Sequence, residues 1–149
     1  MKKYIFICLL ALVAVGFASC EVYETETYDL TVMQEDWQWD NTTQQFYYHF
    51  DLPQLTSNVY NFGNYDIWHE YNPGTTDAYM VQLPESIYKQ EMVIDEVTGD
   101  TSFVYYTQHI DARVMVGAVE IQLTNSDYFY DAENPESMLF RLQIIHGDR

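Results

Sequence analysis

Phe46-Tyr47-Tyr48-His49-Phe50-Asp51-Leu52 decides the fold class. Phe46, Tyr48, Phe50 and Leu52 fall on one side of an extended chain, with His49 and Asp51 on the other. Such alternation, rich in aromatic residues, is the mark of a half-buried strand. The same period continues in both directions. Upstream, Tyr28, Leu30 and Val32 alternate with Asp29 and Thr31; downstream, Tyr65, Ile67, His69 and Tyr71 alternate with Asp66, Trp68 and Glu70. Further strands are expected over 78–83, 87–94, 102–110, 114–123 and 138–145. Val114-Met115-Val116-Gly117-Ala118-Val119 is nearly all apolar, which places it centrally, with Gly117 at a bulge or a close backbone approach.

Turn chemistry agrees with this division. Asn72-Pro73-Gly74 has proline and glycine at the second and third positions of a type II turn, and Val97-Thr98-Gly99-Asp100 reads as a hairpin loop with Gly99 left-handed. Pro53 and Pro84 each follow a leucine that ends a strand, because proline cannot donate to a ladder. One helical turn is expected over 55–62, capped by Thr56 and closed by Gly63. About eight strands at this spacing predict an all-β domain: one antiparallel sandwich of the Greek-key, immunoglobulin-like kind, with a small barrel as the alternative. It would occupy 28–149.

The start of the chain has a different character. Met1-Lys2-Lys3 leads into an apolar run, Tyr4 to Phe17, and then Ala18-Ser19-Cys20. A basic start, a short apolar run and small residues before a cut site form a secretory signal, here 1–19. Fourteen residues fall short of the ~20 that a helix needs to span a bilayer. Phe17-Ala18-Ser19-Cys20 resembles the bacterial lipobox, with phenylalanine where leucine is usual, and the resemblance implies that Cys20 carries a lipid. The other cysteine, Cys8, lies within the signal, so the mature chain has no disulfide. Residues 20–27, with Glu21, Glu24 and Glu26, read as an acidic tether.

Removal of the signal leaves Lys89, Arg113, Arg141 and Arg149 against all 23 acidic residues, four bases to 23 acids and hence −19. Such a surface repels nucleic acid, and no basic stripe can be built from four residues. The acidity does not imply disorder: 17% of residues are aromatic, the opposite of the disordered composition.

No cluster demands catalysis. There is no G-x-S-x-G elbow, no glycine-rich phosphate loop and no free cysteine nucleophile, so neither an enzyme nor a cofactor is expected. His49, His69, His109 and His146 stand singly within strands, without zinc spacing. The acidic stretch 127–136 lacks the spacing of a calcium loop. Trp37-Gln38-Trp39, between Asp36 and Asp40, is the most conspicuous local feature. Two indoles on one face of a strand could stack on sugar rings; equally, they could cover one end of the core. Trp68, Tyr47 and Tyr105 are further candidates for a sugar platform, against the same alternative of cross-strand packing.

Asp36-Trp37-Gln38-Trp39, Phe46 through Leu55, Val59-Tyr60-Asn61-x-Gly63, Leu83-Pro84 and the closing Phe140-Arg141-Leu142-Gln143-Ile144-Ile145 together resemble a group of short lipoproteins from the Bacteroidota. The resemblance implies a β-sandwich on the outer membrane, facing periplasm or cell surface, and supplies no catalytic residues. The expected function is a lipid-anchored, non-enzymatic binding or structural role with an envelope protein as partner. The alternative is a glycan-binding module using Trp37, Trp39 and Trp68.

Overall fold

A computed structural model describes residues 25–94, 97–126 and 134–146. Among the described residues, nine strands form two antiparallel sheets: β1 (Thr25–Val32), β2 (Gln38–Asp40), β3 (Gln45–Asp51), β4 (Asn64–Tyr71), β5 (Tyr79–Gln82), β6 (Glu85–Ile94), β7 (Thr101–Met115), β8 (Ala118–Asn125) and β9 (Met138–Ile145). One sheet has the order β1-β9-β4-β5 and the other β2-β3-β8-β7-β6, and neither closes into a barrel. In the second sheet, the hairpin-connected β6, β7 and β8 lie beside β3, which reaches them through two strands of the opposite sheet. That path is a Greek key.

The alternation read from sequence is what fills the core. Phe140, Leu142 and Ile144 of β9 and Ile67 of β4 point inward against Phe46 of β3, Ile110 of β7 and Val119, Ile121 and Leu123 of β8. Each such side chain, moved fully out of water, contributes roughly 1.5–3 kcal/mol. The helix α1 (Ser57–Phe62) closes one end with Leu55 and Val59; Trp37 and Met138 close the other. Thr56 caps α1 by accepting from the Val59 amide at 3.3 Å. Gly63 ends it with an ordinary φ of −80° and is required by crowding instead: a Cβ there would meet the Val59 carbonyl oxygen at 2.8 Å.

Two sequence expectations are corrected. The stretch 114–123 is not one strand. It is the end of β7, a two-residue turn at Val116-Gly117 and the start of β8, with Met115 paired to Ala118 and Gly117 at φ +81°. Only the second loop residue has positive φ, the pattern of a type II turn. Gly117 is therefore a turn residue and not a bulge, while β8 does occupy the middle of its sheet. Likewise, Thr25–Thr27 of the expected tether belong to β1, where Thr25 pairs with Ile145. The Asn72-Pro73-Gly74 turn forms as expected, with Gly74 at φ +76° and Thr75 N–H donating to Asn72 O at 3.2 Å. Gly99 is left-handed at φ +74°.

Candidate functional site

The expected tryptophan platform is not assembled. Trp37 precedes β2 at the end of a 3-10 turn and is only 4% exposed; its Nε1–H donates to the Glu136 carbonyl at 3.2 Å. Trp39 packs edge-on against Phe46, centroids 4.8 Å apart, and donates to Asn41 Oδ1. Both indoles serve the core. Trp68 is half-buried on the outer face of the other sheet, paired across strands with Gln82 and Arg141. Tyr47 and Tyr105 lie on the outer face of the β2-β3-β8-β7-β6 sheet, so Trp68 cannot share a surface with them. Cys20 lies outside the described residues, as does 127–133 of the acidic stretch. Among the described residues no group of three or more His, Cys, Asp or Glu side chains converges as a metal site. Nor is any described helix long and apolar enough to cross a membrane.

What stands out instead was hidden in the register. β8 pairs with β7 only from Gln108 onwards, yet β7 runs on to Thr101 and pairs with β6 throughout, ending at Ile94 opposite Thr101. The last seven residues of β6 and the first seven of β7 thus form a two-stranded ribbon that continues past the sheet, roughly 20 Å at ~3.4 Å per residue. Its outer face carries Tyr88, Gln90, Met92 and Ile94 on β6 opposite Thr107, Tyr105, Phe103 and Thr101 on β7. None of these is charged, in a chain with 23 acids. Tyr88 is 71% exposed and Phe103 55%, and the Tyr88 and Tyr105 rings stack 5.8 Å apart. Exposed apolar residues grouped in this way mark an interaction surface. β6 is moreover an outermost strand, and among the described residues no strand pairs with its other edge.

At the ribbon's root lies a cavity of about 380 Å³ whose polar lining includes Lys89, Gln108, Asn125, Asn134 and Glu136. Lys89 and Glu136 close it with an ion pair at 3.0 Å. These residues come from β6, β7, β8 and the segment leading into β9, so sequence spacing carries no sign of their meeting.

A second polar group joins the sheets. Glu85, the first residue after the cis Leu83–Pro84 bond where the chain changes sheets, faces His69 and Tyr71 of β4. The His69 and Glu85 side chains are both almost fully buried, and burial together with the Glu85 hydrogen bond pushes the Tyr71 phenol well above its ordinary pKa. This cluster links the two sheets. The outer face of the first sheet carries Arg141, held between Asp29 at 2.9 Å and Glu70 at 3.2 Å.

No protein-family model, curated protein or solved structure matches the chain.

Proposed function

We propose that this protein is a non-enzymatic envelope lipoprotein, tethered to the outer membrane through Cys20, that holds the β6–β7 ribbon away from the membrane to bind a partner. The observation that carries this reading is the placement of the two ends. β1 enters at Thr25 beside Ile145 and Asn64, at the α1 end of the sandwich. The ribbon leaves from the opposite end, since β7 reaches the α1 end only at Met115, fourteen residues after Thr101. Those fourteen steps span roughly 48 Å at ~3.4 Å each. Cys20 is five residues from Thr25 and can lie at most ~18 Å from it. A lipid there holds the α1 end near the bilayer and the ribbon far from it.

The partner is an extended, uncharged segment of another envelope protein, added as a strand along β6. Main-chain hydrogen bonds would supply affinity and the exposed Tyr88, Met92 and Phe103 side chains specificity. A charged ligand finds no partner on this face, and the anionic body repels other acidic surfaces over about a Debye length, ~8 Å.

The test has two arms. A Cys20→Ser precursor should lose its acyl label and leave the membrane fraction. On intact cells, a photoreactive residue in place of Tyr105 should give one discrete adduct, lost on Phe103→Glu, and none from position Thr31 on the opposite sheet. Adducts formed equally from both positions would defeat the ribbon's role; membrane retention of Cys20→Ser would defeat the anchor.

A further inference from the structure

We infer that the α1 end of the sandwich rests in the headgroup layer of a zwitterionic phospholipid bilayer, so that the protein touches the membrane with its own surface as well as through its lipid. The inference rests on the proposed anchor at Cys20 and goes beyond it. A tether alone leaves the domain free to tumble, whereas a seated end holds the ribbon upright.

The first observation is charge. Leu52 to Tyr65 carries no charged residue, the longest such run after Cys20 in a chain of net charge −17. Asp51 and Asp66 bound it on either side. The run holds the loop after β3, the helix α1 and the start of β4. The β7–β8 turn joins the same end: the Leu52 amide donates to the Gly117 carbonyl at 2.8 Å, and the Gly117 amide donates to the Leu55 carbonyl at 2.7 Å. Glu26, where β1 enters, is engaged by His146 at 3.6 Å and by the Tyr28 hydroxyl.

The second observation is what this end exposes. Phe62 is 59% exposed and Tyr60 42%, and Tyr65 and Val116 are exposed as well. Around them lie the uncharged polar side chains of Ser57, Asn58 and Asn61, all exposed. Aromatic rings among uncharged hydrogen-bonding groups suit a membrane–water interface, which is wet on one side and apolar on the other. An anionic lipid surface would meet repulsion from the acidic body; a headgroup layer without net charge does not.

Placement is the third. Thr25 pairs with Ile145, and Ile145 with Asn64, directly after α1. Cys20 lies at most ~18 Å from Thr25. A lipid on that sulfur brings this end, and not the ribbon, within reach of the headgroups.

The experiment uses the lipidated protein in phosphatidylcholine vesicles, with acyl chains brominated near the headgroup in one set. Phe62→Trp adds an indole at the seated end and Tyr88→Trp one on the ribbon, each read as the difference from the parent's emission. Bromine should remove about half of the emission added at position 62 and almost none of that at position 88. Tyr60→Glu, at an exposed position, should reduce the loss at position 62 roughly twofold, because the charge lifts the end away from the acyl chains. Equal loss at both positions, no loss at position 62, or a loss there unchanged by Tyr60→Glu would each overturn the inference. So would added emission at position 62 that shifts to the blue with protein density and ignores bromine, which assigns the face to a second copy. The anchor is scored apart, by the acyl label on Cys20 in cells. If that label is absent, the anchor reading fails, and a maleimide phospholipid coupled to the same thiol still lets the contact be measured. A label present with no bromine effect defeats the contact alone.

Discussion

His69 Nδ1 stands 2.5 Å from Glu85 Oε1 across the two sheets, and the Tyr71 hydroxyl donates to the second oxygen of the same carboxylate at 2.9 Å. One carboxylate from β6 thereby satisfies two donors of β4, the buried His69 ring and the half-buried Tyr71 hydroxyl. The His69 ring also lies 5.1 Å from Phe140, in the centre of the core. The pairing fixes which level of one sheet faces which level of the other, at the point where the chain crosses between them.

Removal of that carboxylate should be costly. Glu85→Ala leaves the buried His69 donor without an acceptor, at roughly 1–3 kcal/mol, and the half-buried Tyr71 hydroxyl without one at less. Urea unfolding is expected to show a loss of about 3 kcal/mol in the variant with an unchanged m-value. Glu85→Gln should lose less, since the amide oxygen still accepts one bond. Equal losses in the two variants would contradict the pairing.

Tyr71 gives the same cluster a signature in alkali. Its folded pKa is raised, chiefly by burial and then by Glu85, so folded chains keep the phenol protonated where unfolded chains release the proton. Unfolded chains then bind fewer protons, and stability falls as pH rises. The contribution is whole below the unfolded value of 10.0 and is lost progressively above it. Spectrophotometric titration should show late-ionising phenols at Tyr71 and at Tyr28, the latter raised by its hydrogen bond to Glu26, and Tyr71→Phe should remove one of them. A titration curve unchanged by that substitution would contradict the assignment.

Two glycines should respond in opposite ways to asparagine, which tolerates the left-handed region better than other residues. Gly117, at φ +81° with open space around a would-be Cβ, should accept Asn at little cost and lose about 1 kcal/mol as Ala. Gly63 has no positive φ but lies against the Val59 and Ile145 carbonyl oxygens. Any side chain there forces a shift, so Ala and Asn should each cost about 1–3 kcal/mol. Thermal melts of the four variants check the contrast.

The sandwich was legible because one face of most strands is buried and the other wet, which writes period two into the sequence. β9 is the clearest case, buried at every second residue from Met138 to Ile144. The β7–β8 turn was not legible because Val116-Gly117 lacks polar punctuation and its flanks are apolar on both sides. β1 was cut short because an edge strand tolerates Thr25 and Glu26 as readily as a tether would. Trp37 and Trp39 misled in a different way: their spacing fits a strand, but only Trp39 lies in one, and each indole was claimed by the core. The ribbon and the cavity depend on strand register and on residues far apart in the chain, and no local pattern records either.

Trp37 supplies a direct check on that reassignment. Its indole should emit to the blue and resist acrylamide, and Trp37→Phe should remove that protected component while Trp39 and Trp68 remain partly quenchable. Strong quenching of Trp37, relieved by an oligosaccharide, would restore the platform reading.

The opposed placement of anchor and ribbon is tested most directly by fluorescence on the lipidated protein in vesicles. A single thiol at Val97→Cys, at the ribbon's tip, or at Phe62→Cys, in α1, would carry a dye, with acceptors on the lipid headgroups. Efficient transfer from position 62 and little or none from position 97 is the expected result. Equal transfer from both, or deeper burial of the tip label, would contradict it.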